Sequence, residues 1–178
     1  MPYVFAFLPG ELTAVPAGRV TLFEEGIQLR ASRFNYGRRY AMRRKAIAVD
    51  PVSLPLADAD AEQVPIHGLA MFGALRDATP DDWGRRVIEN RLGVPANGLP
   101  ESQYLLLAGQ HRVGALDVRP ELNSEPEQGG LPAPIDLHYL LDAADRVEEG
   151  LPVPKHLELY FTGAPSLGGA SPKATIAH

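Results

Sequence analysis

Apolar and polar positions alternate over the first third of the chain and recur at helical spacing after about residue 65. Residues 3–8 (Tyr-Val-Phe-Ala-Phe-Leu) are aromatic and aliphatic, and end at Pro9-Gly10, a turn signal. Residues 19–23 and 26–30 alternate in character on either side of Glu24-Glu25, which predicts a hairpin turning there. Residues 51–56 (Pro-Val-Ser-Leu-Pro-Leu) hold too much proline for a central strand and read as an edge or extended segment.

In the second third, residues 69–75 predict a short helix. Thr79-Pro80-Asp81-Asp82 then predicts a helix start, with Thr79 as N-cap, Pro80 at the first helical position and two carboxylates facing the dipole. Trp83, Val87, Ile88 and Leu92 fall on one side of that helix, which Gly93 and Pro95 end. A further helix is expected over 101–108, closed by Gly109, and a strand over 112–118. Residues 119–134 read as a linker. Asp136 is placed to cap a helix whose Leu137, Leu140, Leu141, Ala144 and Val147 keep a 3.6-residue period up to Gly150. A short segment over 156–161 follows. The class is α+β: a small N-terminal antiparallel sheet or partial barrel, then a helical middle.

The chain has 178 residues, enough for one domain or one and a fraction. It contains no cysteine, which excludes disulfides, thiolate metal sites and a cysteine nucleophile, and fits a reducing cytoplasm. No apolar run approaches the length of a membrane span. Its five histidines share no metal-ligand spacing, so no metal site is expected. No catalytic residue can be assembled from sequence.

The net charge of −5 hides an asymmetry. Arg30, Arg33, Arg38, Arg39, Arg43, Arg44 and Lys45 follow one another with no acidic residue between them. Phe34, Tyr36 and Tyr40 are interleaved, so Arg38, Arg39, Arg43 and Arg44 are candidates for contact with nucleic-acid phosphates. The competing reading is a solvated face whose aromatics pack on the sheet. Around Trp83, the pairs Asp81–Arg85 and Asp82–Arg86 have the i,i+4 spacing of surface ion pairs, a simpler use for these carboxylates than acid–base chemistry. Trp83 itself is expected in a core or interdomain contact.

The last stretch, Ser166-Leu-Gly-Gly-Ala-Ser-Pro-Lys173, joins a hydroxyl, two glycines and a cation. Adjacent glycines let backbone N–H groups converge on an anion, and a lysine beyond them adds a point charge. It is not a Walker A loop: Gly163 and Gly168 have that spacing, but Gly169 stands where lysine is required.

Four stretches in order resemble the N-terminal half of HipA-family serine/threonine kinases, the toxin component of bacterial toxin–antitoxin modules. They are Val52-Ser-Leu-Pro-Leu56; the block from Phe72 through Leu75, Asp77, Pro80 and Trp83 to Gly93; Tyr104-Leu-Leu-Leu-Ala-Gly-Gln-His-Arg-Val-Gly-Ala-Leu116; and the loop from Ser166 to Lys173. The resemblance implies a HipA-like N-terminal domain over 1–118, the linker, and the beginning of a kinase domain over 135–178. It makes Ser166 an autophosphorylation candidate, and places Gly168, Gly169, Ala170, Ser171, Pro172 and Lys173 over the phosphates of ATP. Pro172 departs from the pattern, because it lacks one backbone donor.

The family's activity is ATP- and Mg²⁺-dependent phosphorylation of translation proteins, and its remaining catalytic and metal-holding groups lie downstream of this loop. The expectation is therefore a truncated or split family member that is inactive alone and binds neither ATP nor Mg²⁺ tightly. The implied partners are a HipB-like antitoxin or a kinase-core polypeptide, with DNA contact mostly indirect and no membrane. The alternative is a stand-alone interaction module that binds a kinase core or a DNA-bound antitoxin.

Overall fold

A computed structural model describes residues 1–108, 114–124, 137–155, 161 and 171. Its centre is an open four-stranded antiparallel sheet in the order β3-β2-β1-β4. The strands are β1 (Tyr3–Ala6), β2 (Val15–Glu25), β3 (Gln28–Tyr36) and β4 (Leu116–Arg119). The helices are α1 (Arg38–Ala41), α2 (Gly73–Asp77), α3 (Asp82–Leu92), α4 (Glu101–Leu107) and α5 (Leu137–Glu148). The fold is α+β. Among the described residues, no helix is long and apolar enough to cross a membrane.

The hairpin is longer than its alternation suggests, and it turns two residues later. Glu25 faces Gln28, so Gly26 and Ile27 make the turn, while Glu24 and Glu25 are strand residues. Gly26 supplies a φ of +61°, the left-handed conformation that a tight hairpin turn requires and a glutamate resists. The register then slips: Phe23 faces Ala31 and Glu24 faces Leu29, leaving Arg30 as the extra residue of a bulge.

One sheet face carries the main core. Val4, Ala6, Val20, Phe34 and Val118 are buried there with Leu54, Met71, Phe72, Leu75 and Leu105. The Phe34 ring meets Tyr36 and Phe72 edge-on, at centroid distances of 4.9 and 6.2 Å. Residues 51–54 form a turn held by Asp50. Its Oδ1 accepts from the N–H groups of Val52 and Ser53 at 2.9 and 3.1 Å, and its Oδ2 from the Ser53 hydroxyl at 2.5 Å.

Two helix starts depart from expectation. α2 starts at Gly73 rather than in the high sixties. Asp81, not Thr79, caps α3: its Oδ1 accepts from Gly84 N at 2.8 Å. Thr79 instead donates its hydroxyl to the Arg76 carbonyl at 2.5 Å, closing α2 behind it. Arg85 reaches Glu101 on α4 at 2.8 Å rather than serving an i,i+4 pair on its own helix. Gly93 ends α3 at φ +65°, as expected.

A second core joins α3 to α5. Trp83 and Val87 pack with Leu140, Ala143, Ala144, Val147 and Phe161. The rings of Trp83 and Phe161 meet edge-on at 5.8 Å. Leu92 and Leu141, both expected on apolar stripes, are 45% and 55% exposed, because each lies to one side of its contact line. Residues 109–113, 125–136, 156–160, 162–170 and 172–178 lie outside the described residues. With them go Gly109, Asp136, residues 125–134 of the expected linker, and most of the segment over 156–161.

Candidate functional site

Of the loop expected to cover ATP phosphates, Ser166, Gly168, Gly169, Ala170, Pro172 and Lys173 lie outside the described residues. Ser171 is exposed. The other predicted site residues, Arg38, Arg39, Arg43 and Arg44, are brought together. Arg38 and Arg39 lie on α1, Arg43 and Arg44 follow in the next turn, and all four are exposed. The aromatics between them are not. Phe34, Tyr36 and Tyr40 are buried, and Tyr36 stacks on Tyr40 with ring centroids 5.9 Å apart and planes 5° from parallel.

Beside α1 the sheet forms a groove of about 540 Å³. Its lining includes Arg19, Arg38, Arg39 and Arg43, together with Tyr3 and Leu122, and no carboxylate among the described residues. The register explains the convergence. Asn35 faces Arg19, Arg19 faces Tyr3, and Tyr3 faces Arg119, so one row of side chains crosses all four strands on the face away from the main core. At the end of β3, Gly37 donates its N–H to the Ala17 carbonyl at 2.8 Å, which sets α1 against the start of β2. Arg43 lies 3.8 Å from Glu11. The side chains of Arg19, Arg38 and Arg39 form no ion pair or hydrogen bond with the described residues.

Sequence reading missed Arg19, Tyr3 and Asn35. Alternation places each on a strand face, but only the register across three strands makes them neighbours.

Two buried phenols brace the framework. Tyr36 donates to the Leu54 carbonyl at 2.6 Å and accepts from Val49 N at 2.9 Å. Burial pushes its pKa up to about 12, against the opposing effect of the Val49 N–H. Tyr104 on α4 donates to the buried carboxylate of Glu89 on α3, and the same carboxylate accepts from Asn97 N at 2.7 Å. Burial, then the hydrogen bond to Glu89 and its charge, push the Tyr104 pKa up to about 12. The Arg85 guanidinium covers the Tyr104 ring at 4.3 Å. Every partner in this clasp is internal, so it fixes the 93–100 loop between α3 and α4.

Among the described residues, no group of three or more His, Asp or Glu side chains is arranged to hold a metal ion. A family model described as the HipA N-terminal domain matches residues 12–119. That span takes in the hairpin, the groove arginines, α1 to α4 and the whole of β4. No curated protein and no solved structure matches the chain.

Proposed function

This chain belongs to the HipA N-terminal domain family, and from that premise we propose that it is a non-catalytic interaction module of a HipA-like toxin–antitoxin system. Its partner in this reading is the kinase-core polypeptide of such a system, whose activity is ATP-dependent phosphorylation of translation proteins. The observation that carries the reading is the second core. Leu140, Ala143, Ala144 and Val147 of α5, which follows the family domain in sequence, are buried against Trp83 and Val87 of α3 within the same chain. A helix satisfied in this way needs no further lobe to bury it, and the chain is left as a unit that a partner can dock upon.

The test is co-purification of residues 1–178 with a HipA-like kinase core lacking its own N-terminal domain. A stoichiometric complex, with phosphate transfer from ATP by the core but none by 1–178 alone, is the expected result. Failure to form a complex at micromolar concentration sinks the module reading.

The resemblance of residues 166–173 to the family's ATP loop favours a second reading, in which the chain is the N-terminal half of the kinase itself. Backbone N–H groups of Gly168, Gly169, Ala170 and Ser171 and the ammonium of Lys173 suit a phosphate chemically, and ATP would supply the transferred phosphoryl group. In that reading Ser166 accepts phosphate once the core is present. Mass spectrometry of the reconstituted mixture decides it, and an unmodified Ser166 counts against it.

A further inference from the structure

We propose that the groove between the sheet and α1 binds single-stranded nucleic acid. Its cations hold phosphates, and its floor receives an unstacked base. This inference is independent of the kinase partner.

Three observations carry it. Arg19, Arg38, Arg39 and Arg43 line one concave surface with no carboxylate among its described lining residues, in a chain whose net charge is −5. Carboxylates are plentiful elsewhere, yet three of these four guanidinium groups have no partner among the described residues. Unpaired arginines clustered against the sign of the whole molecule make a local field that selects a polyanion. The cations also continue past the groove, to the exposed Arg44 and Lys45, which is more positive charge than one phosphate group would engage.

The floor then distinguishes strand from duplex. Tyr3 is half-buried on the outer sheet face beside Arg19 and Asn35, and Leu122 also lines the groove. An aromatic ring, an amide and an apolar wall within one concavity suit a base that has left its stack. Bases in a duplex stay in the stack and cannot enter.

The experiment measures fluorescence anisotropy of labelled oligothymidine and oligouridine with the full chain. Four phosphate contacts give a slope of log affinity against log salt of roughly −3 for a single strand, so binding should weaken about fiftyfold between about 50 and 200 mM salt. The double variant Arg38→Gln/Arg39→Gln should weaken binding and flatten that slope to roughly half. Tyr3→Leu should weaken binding about tenfold and leave the slope unchanged. Arg91→Gln, an exposed arginine on α3, should change neither. Circular dichroism of each variant verifies that the sheet is retained.

Several results overturn the proposal: no binding at low salt; an equal loss with Arg91→Gln; duplex bound as well as single strand with Tyr3→Leu silent; or displacement by a mononucleotide or by polyglutamate as effective as by the oligonucleotide.

Discussion

A Cβ atom on Gly18 would enter the space of the Phe34 ring and the Asn35 carbonyl oxygen. The carbonyl belongs to the neighbouring strand and cannot move without breaking the β2–β3 ladder. Gly18→Ala should therefore destabilise the chain by about 1–3 kcal/mol, the usual cost of overpacking, and chemical denaturation would measure it. An unchanged midpoint would mean that the sheet yields more readily than this geometry allows. The tyrosines set a second residue-scale expectation. Tyr36 and Tyr104 have pKa values raised to about 12, against an unfolded value of 10.0. Stability arising from their neutral phenols is fully present below pH 10 and is lost as pH rises from there toward 12. Unfolding followed by circular dichroism across that window should show the decline, and Tyr36→Phe/Tyr104→Phe should remove most of its slope. The interleaving of arginine and aromatic residues over 30–45 was visible in the sequence, but its meaning was not. Strand period sends Phe34 and Tyr36 to the buried face and Arg33 to the other, while α1 turns Tyr40 inward, so the aromatics that seemed available to a base belong to the core.

At the scale of elements, the helix and strand types were legible and their ends were not. Thr79 and Asp81 both carry capping side chains two residues apart. Which of them caps depends on Pro80, which has no N–H to offer and biases the residue before it away from helical conformation. Asp81 sits in extended backbone and caps α3, and Thr79 closes α2. The segment over 51–54 is a comparable case, read as extended and found as a turn organised by Asp50. Burial works against ionisation of Asp50, but hydrogen bonds from the Ser53 hydroxyl and from the N–H groups of Ser53, Val52 and Ala74 outweigh it and hold the carboxyl below its usual range. The stabilisation is present above the unfolded pKa and is lost as pH falls through the folded one. The bond to Ala74 N, at 3.4 Å, also ties this turn to the start of α2. Asp50→Ala should cost about 1–3 kcal/mol at neutral pH. The difference between the two proteins should begin to shrink as pH falls below about 4, the unfolded value, and should vanish only below the lower folded pKa, where the carboxyl is protonated in both the folded and the unfolded state. A constant difference down to acid pH would show that Asp50 acts by packing rather than by charge.

For the whole molecule, the sequence separated a β-rich first third from a helical remainder, and the structure joins the two across three apolar clusters. One packs the sheet against Met71, Phe72, Leu75 and Leu105, a second lies between α3 and α5, and a third brings Ile88 of α3 together with Leu99 and Tyr104. What the sequence left open was where the stripe on α5 goes, because periodicity identifies a face without naming its partner. The only tryptophan reports on the answer. Trp83 is fully buried in the second cluster, against Phe161 and the α5 residues Leu140, Ala143, Ala144 and Val147. Asn90 reinforces the join, its side-chain amide donating to the Leu151 carbonyl at 2.8 Å. If the chain is a self-contained module, Trp83 is already shielded in the free protein. Its fluorescence should then be blue-shifted without any partner and should change little when a HipA-like kinase core is added. If α5 instead waits for a kinase lobe, the free chain should emit at long wavelength and shift to the blue on addition of the core. Ala143→Asp calibrates the measurement. It places a carboxylate at a position with no exposure, should undock α5 and shift the emission to the red, and should leave the far-ultraviolet signal of the sheet intact because none of the described members of that cluster lies on a strand. Red emission from the unmodified free chain, matching that of the variant, would overturn the module reading.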